Sequence, residues 1–384
     1  MPNTEIAALA ADMTAWRRDI HRHPELAFEE RRTAGKVAQL LRSWGIEVHE
    51  GLGGTTAVIG VLHGSRGPGG RSLGLRADMD ALPMQEQTGA DYGSVHEHVF
   101  HGCGHDGHTA ILLGTARYLA AHRDFAGTVH FIFQPAEETL SGGLALIRAG
   151  LFDRFPCDEI YALHNNNCVS LGQVGVRPGA ILSACDWFRI HITGVGTHSA
   201  MPHKGVDPIL AGAVLVQALQ GVVSRNVDPL DVAVLSVCQF HAGTAINVIP
   251  GTAQLEGTLR TLTPQARQVA LDGLQRVCAG VAAAQGCEIR FEHLQSSPAT
   301  VNAAGQTEVV RQAAAAVLGA AQVIDCPPLM ASEDFAYMLE QRPGAYFFLG
   351  HDGQTCHHPG FDFDDRTLAT GVAVFTEIVR QRLG

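Results

Sequence analysis

The sequence predicts an α/β fold: a mostly parallel sheet surrounded by helices, with a ferredoxin-like α+β domain inserted part-way along the chain. Three observations predict it. From 56 to 164, short apolar strands alternate with helical segments, the order that gives parallel sheets. From 183 to 295 the order changes to β-α-β-β-α-β, that of a ferredoxin-like unit. Beyond 296, helices and an apolar strand return and lead to a second histidine-bearing turn, so the first domain resumes. The expected boundaries are 1–182 and 296–384 for the split outer domain and 183–295 for the insertion. A chain of 384 residues already favours two domains, because it exceeds one ordinary core.

Taken in order, 4–45 reads as two helices. Ile6, Leu9, Met13, Trp16 and Ile20 recur at helical spacing, as do Val37, Leu40 and Leu41. The stretch His21-Arg22-His23-Pro24 breaks them, since proline disfavours helix in the residue before it, and its histidines fit a surface loop better than a ligand role. Segments 56–63 and 72–77 read as strands joined by a turn at 64–70. The second runs into Asp78-Met79-Asp80, two carboxylates at alternate positions that share one side. A helix follows at 106–122, with Ile111, Leu112, Thr115 and Leu119 on one face and Asp106 placed as its N-cap. Strand 129–134 is closed by Pro135 and followed by the adjacent acids Glu137 and Glu138, which point different ways. A Gly142-Gly143 turn and a short helix lead to strand 159–163, which ends in His164. In the insertion, strands at 186–195, 232–241, 253–261 and 288–294 are joined with helices at 208–227 and 264–285. Helical segments at 307–318 and near 334–340, then a strand at 345–349, end in Thr355-Cys356-His357-His358-Pro359.

Composition narrows the function. With 46% apolar and 17% charged residues the chain is compact and not disordered. A net charge of -11, with no Lys/Arg cluster, argues against a nucleic-acid partner. No apolar run reads as a membrane span, and the first eleven residues lack a basic and then apolar leader, so the expectation is a cytoplasmic protein with no membrane partner. Seven of the nine cysteines are scattered through apolar segments, most of them expected to be reduced core residues.

The chemistry concentrates at 101–108, H-G-C-G-H-D-G-H. Cys103 and His105 offer a thiolate and an imidazole two positions apart, the donor types that select zinc-like transition metals over magnesium or calcium. Taken alone, a polar loop carrying histidines by chance would read the same way. The wider pattern decides against chance: Asp78/Asp80, Glu137/Glu138 and His164 each fall at the carboxyl end of a predicted strand, where ligands of parallel sheets collect.

The stretches R-A-D-M-D-A-L-P, C-G-H-D-G-H-T-A, Q-P-A-E-E, L-H-N, G-T-H-S-A-M-P-H-K-G-V-D-P, N-V-I-P and S-E-D-F, in this order, resemble the M20 family of metallo-amidohydrolases. The resemblance is best to the subgroup of hippurate hydrolases, N-acyl-amino-acid deacylases and auxin-conjugate hydrolases, and it covers nearly the whole chain. It implies a catalytic domain and an inserted lid and dimerisation domain. It implies two divalent ions per subunit, drawn from zinc, manganese, cobalt and nickel. Cys103 would bridge them, His105 and His164 would complete one site, and Glu138 and His357 the other. Glu137 resembles the general base and Asp80 the aspartate that orients the metal machinery, while Asp78 stands beside the ligands. His198 resembles the histidine that stabilises the oxyanion, in the family from a dimer partner in some members, and Asn247 and Arg260 match positions that hold a substrate carboxylate. The implied activity is hydrolysis of the linear amide of an N-acyl amino acid by a homodimer or higher homo-oligomer.

Two departures stand out. The final motif usually reads His-Asn-Pro or His-Ser-Pro but is Cys356-His357-His358-Pro359 here; alignment to the proline selects His357 and leaves His358 beside the site or solvated. Thr139 replaces a commonly small residue after the glutamate pair. Two other functions compete with metal hydrolysis: a cysteine amidase with Cys103 as nucleophile and His105 or His108 as base, and a non-catalytic, metal-bearing binding protein.

Overall fold

The structure, a computed structural model, describes residues 4–67 and 69–384; Pro68, in the turn expected at 64–70, and the first three residues of the expected outer domain lie outside the described residues. The chain separates into two compact units, one of residues 1–181, 301–327 and 334–384 and the other of 182–300 and 328–333.

The first unit is built on an eight-stranded sheet, ordered Glu47–Glu50, Val58–His63, Thr128–Gln134, Ser72–Asp78, Glu159–Asn166, Gly344–Gly350, Val174–Val176 and Val323–Asp325. Its four central strands, Thr128–Gln134 to Gly344–Gly350, pair in parallel. Antiparallel pairing enters on either side, at Val58–His63 with Thr128–Gln134 and at Gly344–Gly350 with Val174–Val176. The central strands read as continuous apolar runs because both faces are covered, as parallel sheets require. Phe131, Phe133, Leu75, Leu163 and Phe347 pack in one buried cluster with Ile111, Leu112, Leu113 and Ala116 of helix His105–Ala121 and with Val372, Phe375 and Val379 of helix Leu368–Leu383.

The expected order of strands and helices is recovered, with shifted ends. The strand expected to stop at 163 continues to Asn166, and the one before Asp78 includes it. Helix Leu368–Leu383 and the three short strands Glu47–Glu50, Val174–Val176 and Val323–Asp325 had not been read from the sequence.

The second unit holds an antiparallel four-stranded sheet, Ala233–Ala242, Thr252–Thr261, Ala184–Thr193, Glu288–Ser297. Helices Pro208–Asn226 and Pro264–Gln285 bury Leu215, Leu219, Val222 and Leu274 against its Phe188, Ile190, Ile192 and Leu255. This is the ferredoxin-like arrangement. Asp207 caps the first helix by accepting from Ile209 N and Leu210 N, and Thr263 caps the second through Ala266 N. Helix Pro208–Asn226 is long and apolar enough to cross a membrane by length and composition alone. Its apolarity has a local use, because Ala211, Leu215, Leu219 and Val222 are buried in the core of this unit.

Candidate metal centre

Four separated segments meet beyond the carboxyl ends of the central strands: 103–108, 137–138, 164–165 and 356–357. The loop before helix His105–Ala121 can turn there only because of its glycines. Gly104 is the N-cap at φ +95°, and a Cβ on it would lie 2.1 Å from Asn165 Oδ1. A Cβ on Gly107 would lie 2.4 Å from the Phe363 ring.

Asp106 is therefore not the cap. Its carboxylate is buried, with Oδ2 2.8 Å from His21 Nδ1 and 3.5 Å from Arg17 Nη1. Arg17, fully buried, also donates to Asp362 at 3.0 Å and Asp365 at 2.8 Å, tying the loop to the first helices and to the end of the chain. His21, expected on the surface, is buried because this network needs it; His23 is half-buried, its Nδ1 2.9 Å from Asp19 O. Burial alone would lower the His21 pKa, but Asp106 and Glu86 outweigh it and lift it to about 9. A histidine raised above its unfolded value of roughly 6.5 stabilises the fold fully below that pH and loses the contribution as pH rises through 9. Wild-type protein is expected to lose up to about 3 kcal/mol of unfolding free energy through this group between pH 6.5 and 10. Urea unfolding across that range should show the loss in wild type and a flatter profile in His21→Gln.

Asp80 organises the acids. Its Oδ1 accepts from Glu137 N at 2.9 Å and its Oδ2 from Glu138 N at 3.0 Å, so one carboxylate fixes both glutamates by their backbone. Ala136, just before them, is held in the left-handed region at φ 56°, its N donating to Glu30 Oε1 at 2.9 Å. The Asp80 carbonyl lies 2.9 Å from His105 Nδ1, which puts the proton there and frees Nε2 as a lone-pair donor. His164 is fixed the same way, with Nδ1 2.6 Å from Asn165 O and Nε2 3.4 Å from Cys103 Sγ.

His105 Nε2 and Glu138 Oε1 are buried without a hydrogen-bond partner and stand 3.8 Å apart. Glu137 Oε2 is 3.9 Å from the same imidazole nitrogen, and Glu138 Oε2 is 3.3 Å from His357 Nε2. Cys103, Glu138 and His357 offer donors within 4.8 Å of one another, as do His105, Glu137 and Glu138, and Cys103, His164 and Cys356. Leaving buried polar atoms unpaired costs about 1–3 kcal/mol each, and cations at these positions would satisfy them. The donor set of thiolate, imidazole and carboxylate fits divalent transition metals.

Of these donors, Glu138 and His164 already favour the form that binds a cation, whereas His105 and Cys103 would give up a proton to one. Burial opposes ionisation of Glu138, yet His357 and His105 hold its pKa below the ordinary value. Burial likewise opposes a charged His105, but Asp78, Asp80 and Glu138 raise it. A hydrogen bond with Cys356, then burial and the two glutamates, push the Cys103 thiol up. Burial, reinforced by His108, keeps His164 low and neutral.

Residues around these donors make a second set of contacts that the sequence reading largely missed. Asp78 lies 2.7 Å from His108 Nδ1 and accepts from Arg76 Nη1 at 2.8 Å; His108 Nε2 lies 2.8 Å from Asn165 Oδ1. His108 thus meets Asp78 and Asn165 through its two nitrogens, and it also shares a donor group with His105 and His164. The buried Arg76 also meets Asp334 at 3.2 Å, and Asp334 Oδ2 accepts from Gly143 N at 2.7 Å, which accounts for the aspartate of S-E-D-F. His358 is exposed, its Nδ1 accepting from Gly360 N at 3.0 Å. Within the second unit, His198 is exposed, on a two-residue strand paired with Val248–Ile249, and its Nδ1 accepts from Ala200 N at 3.0 Å. Asn247 is exposed and its carbonyl accepts from Ser199 N at 3.1 Å. Arg260 Nη1 donates to Met330 O at 2.9 Å and to Ser332 Oγ at 3.0 Å.

The model of peptidase family M20/M25/M40 matches residues 74–381. The chain belongs to that family. This M20 chain is 39% identical to a hippurate hydrolase of Campylobacter jejuni over 381 residues, covering 99% of this chain and 98% of the relative. It is 42% identical to an N-acyl-L-amino acid amidohydrolase of Geobacillus stearothermophilus over 287 residues, 73% of this chain and 76% of the relative. A crystal structure described as a dinuclear metal-binding M20 peptidase of Bacillus subtilis superposes with a TM-score of 0.85 at 34% identity, covering 97% and 98% of the two chains. The protein is an amidohydrolase of the M20 family.

Proposed function

We propose that the protein hydrolyses the amide bond of N-acyl amino acids with two divalent ions, releasing a carboxylic acid and a free amino acid. The observation that carries this reading is the meeting of Cys103, His105, Glu138, His164 and His357 around buried, unpartnered donor atoms, with a further carboxylate, Glu137, beside them. The relatives named hippurate hydrolase and N-acyl-L-amino acid amidohydrolase support the substrate class, and the structure described as dinuclear supports two ions. Cys103, His105, Glu138, His164 and His357 would hold the ions.

When bound, such ions supply Lewis acidity, lowering the pKa of water from the bulk value to about 7 and polarising a carbonyl. The protein's own groups do the rest. Glu137 takes a proton from the attacking water and returns it to the leaving nitrogen, which an amide needs because its amine is a poor leaving group. Asp80, through the backbone of both glutamates and the carbonyl on His105, holds base and ligands in register. His198 is assigned to the developing oxyanion, and Asn247 and Arg260 to the substrate carboxylate.

Chelation is expected to abolish hydrolysis of N-acetyl, N-benzoyl or longer-chain N-acyl amino acids, and added zinc, manganese, cobalt or nickel to restore it. Activity indifferent to chelators but lost on alkylation would instead establish a cysteine nucleophile. No turnover of any such substrate with any metal would favour a binding protein. Arg260 offers a planar fork for a carboxylate. Arg260→Gln is therefore expected to raise KM about 10-fold or more for substrates with a free carboxylate, at roughly 1.5–3 kcal/mol per charged hydrogen bond, and to leave their esters nearly unaffected. Equal effects on acids and esters would remove Arg260 from the substrate site.

A further inference from the structure

Cys356 is a further side chain of this centre able to bind a metal. Cys356 is half-buried on the turn that carries His357. Its Sγ lies 3.6 Å from the Cys103 carbonyl and 3.4 Å from Asn165 Nδ2. Donor atoms of Cys356, Cys103 and His164 all lie within 4.8 Å of one another. Donors on one tetrahedral zinc ion stand about 3.3–3.8 Å apart, from bonds of about 2.0–2.3 Å, so small side-chain shifts would close the triad on a single ion.

Two features of the turn support this. Cys356 and His357 are neighbours on this turn, and both stand in donor groups that include Cys103. The backbone at His357 is left-handed, φ 65°, and it is anchored by His357 N donating to Gly102 O at 2.8 Å. A non-glycine residue there is held against roughly 1–3 kcal/mol of strain, as happens at functional sites. Asn165 also takes part. With Oδ1 committed to His108, its Nδ2 is the group left to donate to the Cys356 sulfur, the kind of contact that orients and tunes a metal ligand.

We propose that Cys356 is a metal ligand of this centre, binding the same ion as Cys103 and His164 and giving that half of the site two thiolate donors. The inference rests on the two-ion reading and adds a metal preference to it. Each thiol releases one proton to solvent on binding, and paired thiolates favour zinc and other thiophilic ions over manganese, which suits carboxylate and water oxygens.

The test needs no substrate. Metal-stripped wild-type protein is titrated with cobalt(II), and sulfur-to-cobalt charge-transfer absorption is read at saturation. A bridging Cys103 makes two sulfur–metal bonds and Cys356 one, so Cys356→Ser should still take two ions but lose about one third of the band, and its zinc-over-manganese affinity ratio should fall about 10-fold or more. Full band intensity in Cys356→Ser with two ions bound overturns the Cys356 assignment and leaves the two-ion reading standing. Fewer than two ions, or no sulfur band, in wild type overturns both. X-ray absorption on zinc-loaded wild type requires no variant: three zinc–sulfur bonds shared over two ions support the proposal, and two overturn it.

Discussion

Glu137→Gln is expected to lower kcat by about 10²–10⁴-fold, the usual range for loss of a positioned general acid–base, while both ions stay bound. The substitution keeps the shape of the side chain and removes its capacity to hold a proton. The backbone N of residue 137 still donates to Asp80 Oδ1, so the strand end and its neighbour Glu138 should keep their places. If Glu137 both takes the proton from water and returns it to the leaving nitrogen, as proposed, kcat and kcat/KM should fall together, the sign of an interaction made in the transition state. Kinetics on one N-acyl amino acid, paired with metal analysis of the same preparation, checks this. Near wild-type turnover would move the base elsewhere, and loss of an ion would make Glu137 a ligand.

The second large effect is expected at Cys103. If its sulfur lies between the ions, Cys103→Ala removes a ligand from each at once. Affinity for both should drop by more than the roughly 10–100-fold typical when only a supporting residue is lost, with activity falling to background at ordinary metal concentrations. Loss of a single ion would show that Cys103 belongs to one site only. A nucleophilic cysteine predicts the opposite split, with activity abolished and metal content unchanged. Because Cys103 is buried beside His164 and Cys356, thermal unfolding of the variant without metal should be compared with that of stripped wild type, separating lost ligation from lost packing.

Much of this site could be read before any coordinates, for a topological reason. Asp80, the Glu137–Glu138 pair and His164 stand at the carboxyl ends of three neighbouring parallel strands, and strand alternation is visible in sequence. The glycines of the 101–108 loop were also interpretable, since Gly104 and Gly107 occupy positions where a Cβ would collide with Asn165 and Phe363. What escaped was whatever depends on distant residues meeting. His21 reads as a surface histidine next to a proline, and only its contact with Asp106, 85 residues away, shows it to be buried. Asp106 reads as an N-cap for the same reason, and Arg76 gives no sign that it joins Asp78 to Asp334. Strands of three or four residues, such as Val174–Val176 and Val323–Asp325, are too short to carry a period. Helix Leu368–Leu383 is a different case: Leu368, Val372, Phe375 and Val379 follow helical spacing and could have been read.

The most direct test of the central claim is anomalous diffraction from crystals of stripped protein reloaded with zinc. The account predicts two peaks per chain, both within bonding distance of Cys103 Sγ, one bordered by His105 and His164 and the other by Glu138 and His357. A single peak, or peaks that leave Cys103 uncoordinated, would contradict it.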